Sequence, residues 1–256
     1  MVKKVDLNVD SGESFGSYRI GNDEEVFKYV TSANVACGFH AGDPNVMRKT
    51  VKLAKKFGVA VGAHPGFPDL MGFGRRNMEV LKDELENYIL YQLGALEAFV
   101  RAEGLELQHV KAHGALYNMA VTRRDYAEAL VNAVKLFNPK LIVVALPNSE
   151  MRRVGEEAGV KVAYEFFADR NYRADGSLVP RTHPQALVKD VEEAINRAVK
   201  AVDQGVIRTI DGKDLEVVVH TICIHGDSPH APEIAKALRL KLTEAGINVV
   251  PLREIL

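Results

Sequence analysis

Lys56-Phe57-Gly58-Val59-Ala60-Val61 closes a helix and opens a strand in one short step of the chain. A glycine just past a helical stripe takes the left-handed conformation that ends the helix, and the β-branched residues around it favour an extended chain. The junction recurs at Ala102-Glu103-Gly104-Leu105-Glu106-Leu107, Glu157-Ala158-Gly159-Val160-Lys161-Val162 and Glu244-Ala245-Gly246-Ile247-Asn248-Val249. Asp43-Pro44, His183-Pro184 and Ala231-Pro232 mark helix starts, because the first helical turn tolerates proline's missing N–H. Strands that alternate with helices in this way imply crossover units and a parallel sheet.

Working outward, strands are expected near residues 5–10, 32–39, 59–64, 107–113, 141–146, 162–167, 218–225 and 247–250. A long helix from about Glu79 to Arg101 carries Leu81, Leu85, Tyr88, Ile89, Leu93, Leu96 and Val100 on one stripe. Asp211-Gly212, between Val206–Ile210 and Leu215–Val219, reads as a hairpin turn. With no linker or low-complexity segment, the expectation is one domain over residues 1–256. Its class is α/β, a distorted (β/α) barrel of about seven parallel strands, with an open doubly wound sheet as the alternative.

The chain has 256 residues, 33 Lys+Arg against 34 Asp+Glu and a net charge of -1. That balance lacks the basic footprint of a nucleic-acid binder. The longest apolar run, Leu141 to Leu146, is far shorter than the roughly 18 residues of a membrane span. Met1-Val2-Lys3-Lys4 leads directly into the acidic first strand, so a cytoplasmic protein is expected. Cys37 and Cys223 form no CxxC pair and read as small buried hydrophobes.

Side chains alternate across a strand, so parity sorts each strand into two faces. Val5, Leu7 and Val9 oppose Asp6, Asn8 and Asp10; Ala33, Val35 and Cys37 oppose Ser32, Asn34 and His40. Val59, Val61 and Ala63 oppose Ala60, Gly62 and His64; Val110 and Ala112 oppose His109, Lys111 and His113; Ile222 and Ile224 oppose Thr221, Cys223 and His225. Crossover helices cover the outside of a parallel sheet, so the polar face is expected inside the barrel. Asp10, His40, His64, His113 and His225 fall at the downstream ends, where barrel enzymes carry their chemistry. The loops there hold Glu13, Arg75, Arg76 and Asp227, and the forks of Arg75, Arg76, Arg170 and Arg173 suit carboxylate or phosphate.

Several of these segments carry a resemblance. They are Val5 to Gly16, Ser32 to Asp43, Gly62-Ala63-His64-Pro65, Gly72-Phe73-Gly74-Arg75-Arg76, His113-Gly114-Ala115-Leu116-Tyr117-Asn118 and Ile224-His225-Gly226-Asp227. In that order, over nearly the whole chain, the sequence resembles the LamB/YcsF family. The resemblance implies a seven-stranded barrel related to the polysaccharide deacetylases. It further implies ATP-dependent opening of 5-oxo-L-proline to L-glutamate, with ATP as co-substrate and 5-oxoprolinase subunits B and C as partners. Two positions depart from the family: Val9 stands where cysteine is frequent, and Ala112 where proline is usual.

The chain holds no GxxxxGK[ST] loop and no GxGxxG fingerprint, so ATP use follows from the resemblance alone. Asp10, His40, His64, Lys111 and His113 are the candidate catalytic residues, with Asp10 as general base or as the group orienting a histidine. Lys111 would stabilise charge developing on oxygen, or else be a structural partner of Asp6 or Asp10. Asn8, Glu13, Asn34, Arg75, Arg76, His225 and Asp227 are candidate substrate contacts. No metal is required, but Asp10, His40 and His64 would be its ligands, which leaves a metal-dependent amide or sugar deacetylase as a second reading. A non-catalytic scaffold subunit is the third.

Overall fold

In the computed structural model, which describes residues 3–180, 183–188, 190–228 and 230–256, strands and helices alternate. The order is β1 (Lys4–Ser11), α1 (Asp23–Val26), β2 (Ser32–Ala36), α2 (Pro44–Phe57), β3 (Ala60–His64), α3 (Lys82–Ala102), β4 (Leu107–Val110), α4 (Gly114–Thr122) and α5 (Arg124–Phe137). Then follow β5 (Ile142–Ala145), α6 (Glu150–Glu157), β6 (Val162–Phe167), α7 (Val191–Gln204), β7 (Val206–Arg208), β8 (Asp214–Glu216), β9 (Thr221–Ile224), α8 (Ala231–Glu244) and β10 (Asn248–Val249). Strands β1 to β6 pair in parallel with their sequence neighbours, and β9 closes the ring between β6 and β1. The result is a seven-stranded parallel barrel. β10 adds two parallel rungs to the foot of β1, and β7 and β8 form the expected antiparallel hairpin outside it.

All four repeated glycines, Gly58, Gly104, Gly159 and Gly246, adopt φ between +69° and +74° where a helix ends. At the start of α2, the Asp43 carboxylate accepts from the N–H groups of Asn45 and Val46 with Pro44 in the first turn. Val5, Leu7, Val9, Val35, Val61 and Val110 point outward to the helices and are fully buried there, so the apolar core is the layer between barrel and helices. Among the described residues, no helix is long and apolar enough to cross a membrane.

Three expectations are corrected. β2 stops at Ala36, short of residue 39, because the chain turns at Gly38, whose φ is +96°. β4 stops at Val110, short of residue 113, although Lys111 and His113 continue its direction and their N–H groups donate to the Ala63 and Pro65 carbonyls. Gly42, at φ +80°, packs against the Ala36 and Gly12 carbonyls so closely that a Cβ would lie 2.7 Å and 2.9 Å from their oxygens. His183-Pro184 starts no helix: it lies in a turn, and α7 begins at Val191, capped by the Asp190 carboxylate accepting from Glu193 N–H. Leu81 lies before α3 and is exposed, while Gln92, outside the predicted stripe, is buried and straps the backbone of Gly66 in both directions.

The barrel interior is polar from its foot upward. Asp6 accepts hydrogen bonds from Thr31, Ser32 and Thr221 at 2.5–2.7 Å. Burial nevertheless outweighs these donors and raises the Asp6 carboxyl from 3.8 to about 6. The folded state therefore holds a proton that the unfolded chain releases earlier. This contribution is complete below about pH 3.8 and is lost as pH rises through about 6, amounting to up to about 3 kcal/mol. In urea melts, stability of the natural chain minus that of Asp6→Asn is expected to fall by this amount between pH 4 and 7. A flat difference would contradict it.

Candidate active site

Asn8, Asn34 and His109 form the layer above Asp6. His109 donates from Nε2 to Asn34 Oδ1 at 2.7 Å, and Asn34 Nδ2 donates to Asn8 Oδ1 and Asp10 Oδ1 at 2.7 and 2.8 Å. Burial, then Lys111, lowers His109 to about 3, so it is a neutral structural link. Its ring fills the place a side chain at 62 would take, for a Cβ on Gly62 would lie 2.1 Å from His109 Nε2. Gly62→Ala is expected to destabilise the fold by about 1–3 kcal/mol through overpacking; an unaltered denaturation midpoint would refute the contact.

Lys111 continues the β4 direction into the barrel mouth. Its Nζ lies 2.9 Å from Asp10, from Glu165 and from Cys223 Sγ, and 3.3 Å from Asn8. Burial opposes the ammonium, but the Asp10 and Glu165 carboxylates outweigh it and hold Lys111 well above its ordinary range. Burial would likewise raise Asp10, yet the Lys111 ammonium outweighs it and keeps the carboxyl well below the ordinary range. Both groups are thus charged. Cys223, read from sequence as a small hydrophobe, is buried but touches this ammonium, and burial pushes its thiol well above the usual value.

At the rim, His64 donates from Nδ1 to the Lys111 carbonyl at 2.7 Å, and its Nε2 lies 3.1 Å from His113 Nδ1 and 3.5 Å from Asp10. His113 donates from Nε2 to the Phe73 carbonyl at 2.7 Å. His40 stacks face to face on His113, centroids 3.7 Å apart. Glu13 Oε1 stands 3.6 Å from both His40 Nε2 and His113 Nδ1. Burial holds Glu13 well above the carboxylate range, with Asp10 and Asp227 adding to it, and lowers His113 to about 3 and His40 well below the imidazole range. The loop over these rings is strained: Phe73 has φ +55°, the one positive value among the described non-glycine residues. Gly74 follows so close that a Cβ would lie 2.7 Å from both His113 and His40.

A cavity of about 160 Å³ opens here, lined by Asp10, His64, Arg75, Lys111, His113 and His225 together with Tyr117, Phe167 and Arg170. Six of the predicted site residues therefore meet in one hollow. Asn8 and Asn34 lie beneath it, and Glu13 and His40 sit behind the imidazoles. Asp227 instead ties Arg75 at 2.7 Å, linking two loops across the mouth. Arg76 does not line the cavity: its guanidinium pairs with Asp69, whose carboxylate also accepts from Gly72 N–H. Asp10, expected as a ligand beside His40 and His64 if a metal is bound, lies 3.5 Å from His64 Nε2 but is engaged elsewhere. Asp10 is taken by Lys111 and Asn34, and the carboxylate that converges with His40, His64 and His113 is Glu13.

Glu165, Asp169 and Tyr117 were not anticipated. Glu165 is fully buried within an otherwise apolar and aromatic strand, the one signal that could have marked it. Asp169 lies 3.1 Å from His225 Nδ1, and that ring stacks on Phe167. Burial, then Glu165, raises the Tyr117 hydroxyl well above its ordinary value.

The sequence profile of the LamB/YcsF family matches residues 5–256. A Pyrococcus horikoshii protein named as the A subunit of 5-oxoprolinase is 57% identical over 253 residues, covering 99% of each chain. The crystal structure of a lactam utilization protein from Thermus thermophilus superposes with a TM-score of 0.93 at 49% identity, covering 96% of this chain and 99% of that one. A T48 deacetylase solved with substrate shares the barrel at a TM-score of 0.50 and 14% identity, covering 99% of this chain and 90% of that one, a likeness of fold alone.

Proposed function

The chain belongs to the LamB/YcsF family, and from that premise we propose that it is the A subunit of an ATP-dependent 5-oxoprolinase, acting with subunits B and C to open 5-oxo-L-proline to L-glutamate. The name of its full-length relative supports a 5-oxoprolinase role. Nucleotide coupling, the partner subunits and a cytoplasmic setting belong to the proposal. The observation that carries it furthest is the convergence of Asp10, Lys111 and His225 on one small cavity.

A lactam carbonyl is deactivated by its nitrogen. Phosphoryl transfer from ATP to the lactam oxygen breaks the bond to ADP and leaves the ring carbon open to water. Addition gives a tetrahedral carbon; its C–N bond breaks, the nitrogen gains a proton, and a second water releases phosphate from the acyl phosphate. This sequence asks for a fixed cation near the oxygen and groups that move protons. Lys111, held charged, is suited to the first. His225, oriented by Asp169, is suited to the second, with Asp10 as the fixed negative charge that aims Lys111 and the attacking water. An acid whose pKa is pushed so low is a weak proton acceptor at neutral pH, which favours the orienting role for Asp10 over that of base.

Coexpression with candidate B and C subunits, followed by glutamate release from 5-oxoproline, tests this. Release that requires ATP and all three chains is expected. Amide or acetyl hydrolysis by the isolated chain without ATP would favour the deacetylase reading instead.

A further inference from the structure

We propose that Glu13, His64 and His113, with His40 beside them, form a binding site for one divalent transition-metal ion such as zinc, nickel or manganese. The assignment stands on side-chain geometry and does not depend on the lactam reading. One donor atom from each of the four residues lies within 4.8 Å of every other, and all four residues are buried.

The decisive feature is where the imidazole protons go. A backbone carbonyl only accepts, so His64 Nδ1 and His113 Nε2 must both carry protons, donated to Lys111 and Phe73. In neutral rings the remaining nitrogens, His64 Nε2 and His113 Nδ1, then present lone pairs to each other at 3.1 Å. Two lone pairs at that distance repel unless a cation stands between them. Two nitrogens bound at about 2.1 Å to one ion, at angles from tetrahedral to square, lie about 2.9–3.4 Å apart. The observed separation falls in that range. Outward donation to a carbonyl is also how metal-bound histidines are usually oriented.

His40 supplies an independent sign. It is 1% exposed, and neither of its ring nitrogens has a hydrogen-bond partner, yet its Nε2 faces the same Glu13 oxygen. A buried imidazole left without partners is costly unless something absent from the protein chain completes it. Imidazole nitrogens with one carboxylate suit borderline metals rather than calcium or magnesium. The second convergence, Asp10 with Cys223 and His225, is different in kind, because the Lys111 ammonium already sits 2.9 Å from Asp10 and Cys223.

The test is metal titration of the purified full chain after chelator treatment and dialysis, with zinc, nickel and manganese each added alone. Calorimetry and elemental analysis are expected to give one equivalent bound below about 1 µM for at least one metal, with a raised melting temperature. His113→Ala and Glu13→Gln should each weaken that binding at least tenfold, while His230→Ala, on the surface, leaves it unchanged. Circular dichroism separates loss of a ligand from loss of folding, and Glu13→Gln, close in shape, serves if His113→Ala does not fold. Binding weaker than about 1 mM for all three metals overturns the site in favour of a shared proton between the rings. Binding that survives both variants overturns it in favour of adventitious surface sites. Neither result bears on glutamate release by the complex.

Discussion

Lys111→Met is expected to destabilise the protein by about 3–5 kcal/mol, because removing one member of a buried ion cluster leaves the others uncompensated. Asp10 and Glu165 both stand 2.9 Å from its ammonium, with side chains 12% and 0% exposed. Methionine keeps the length of the side chain but not the charge. Two carboxylates would then face each other across a cavity wall, and one would take up a proton or draw in water. Adding Glu165→Gln should recover part of the loss, since it removes one of the two stranded charges. Urea denaturation of the three proteins measures the effect, and an unchanged midpoint for Lys111→Met would show that the cluster contributes nothing net.

Asp10→Asn is expected to lower glutamate release by the reconstituted complex at least about 100-fold, the scale on which positioned charges and proton-moving groups act. The amide preserves the hydrogen-bond acceptor toward Asn34 and removes the charge that holds Lys111 aimed at the cavity. Loss of rate with an intact assembly and unaltered circular dichroism would locate the effect in the chemistry. A rate equal to that of the natural chain would end the role assigned to Asp10.

The barrel was legible because its signals are local. A glycine after a helix and two-residue alternation along a strand both follow from backbone geometry, and they place Asp6, Asn8, Asp10, Asn34, Lys111 and His113 on the inner face without reference to any distant part of the chain. What stayed hidden depends on register between strands far apart in sequence. Glu165 gains its meaning only when β6 and β4 bring it to Lys111. The pairing of Asp169 with His225 spans 56 positions. Arg76 lies outside the cavity because its fork is captured by Asp69 in a local turn, which composition alone does not reveal. Likewise His183-Pro184 has the look of a helix start, but the carboxylate cap that starts α7 lies at Asp190.

The ring is completed by its latest-made parallel member, since β9 slots between β6 and β1 only after the α7 helix and the β7–β8 hairpin have been made. Asn8 finds Thr221 across 213 positions. A nascent chain leaving the ribosome therefore carries an unfinished sheet whose first and sixth members both offer bare amide edges to any neighbour. Asp6 and Asn8 line the inside of that half-built trough with polar groups, so its open face would be wettable until β9 closes it.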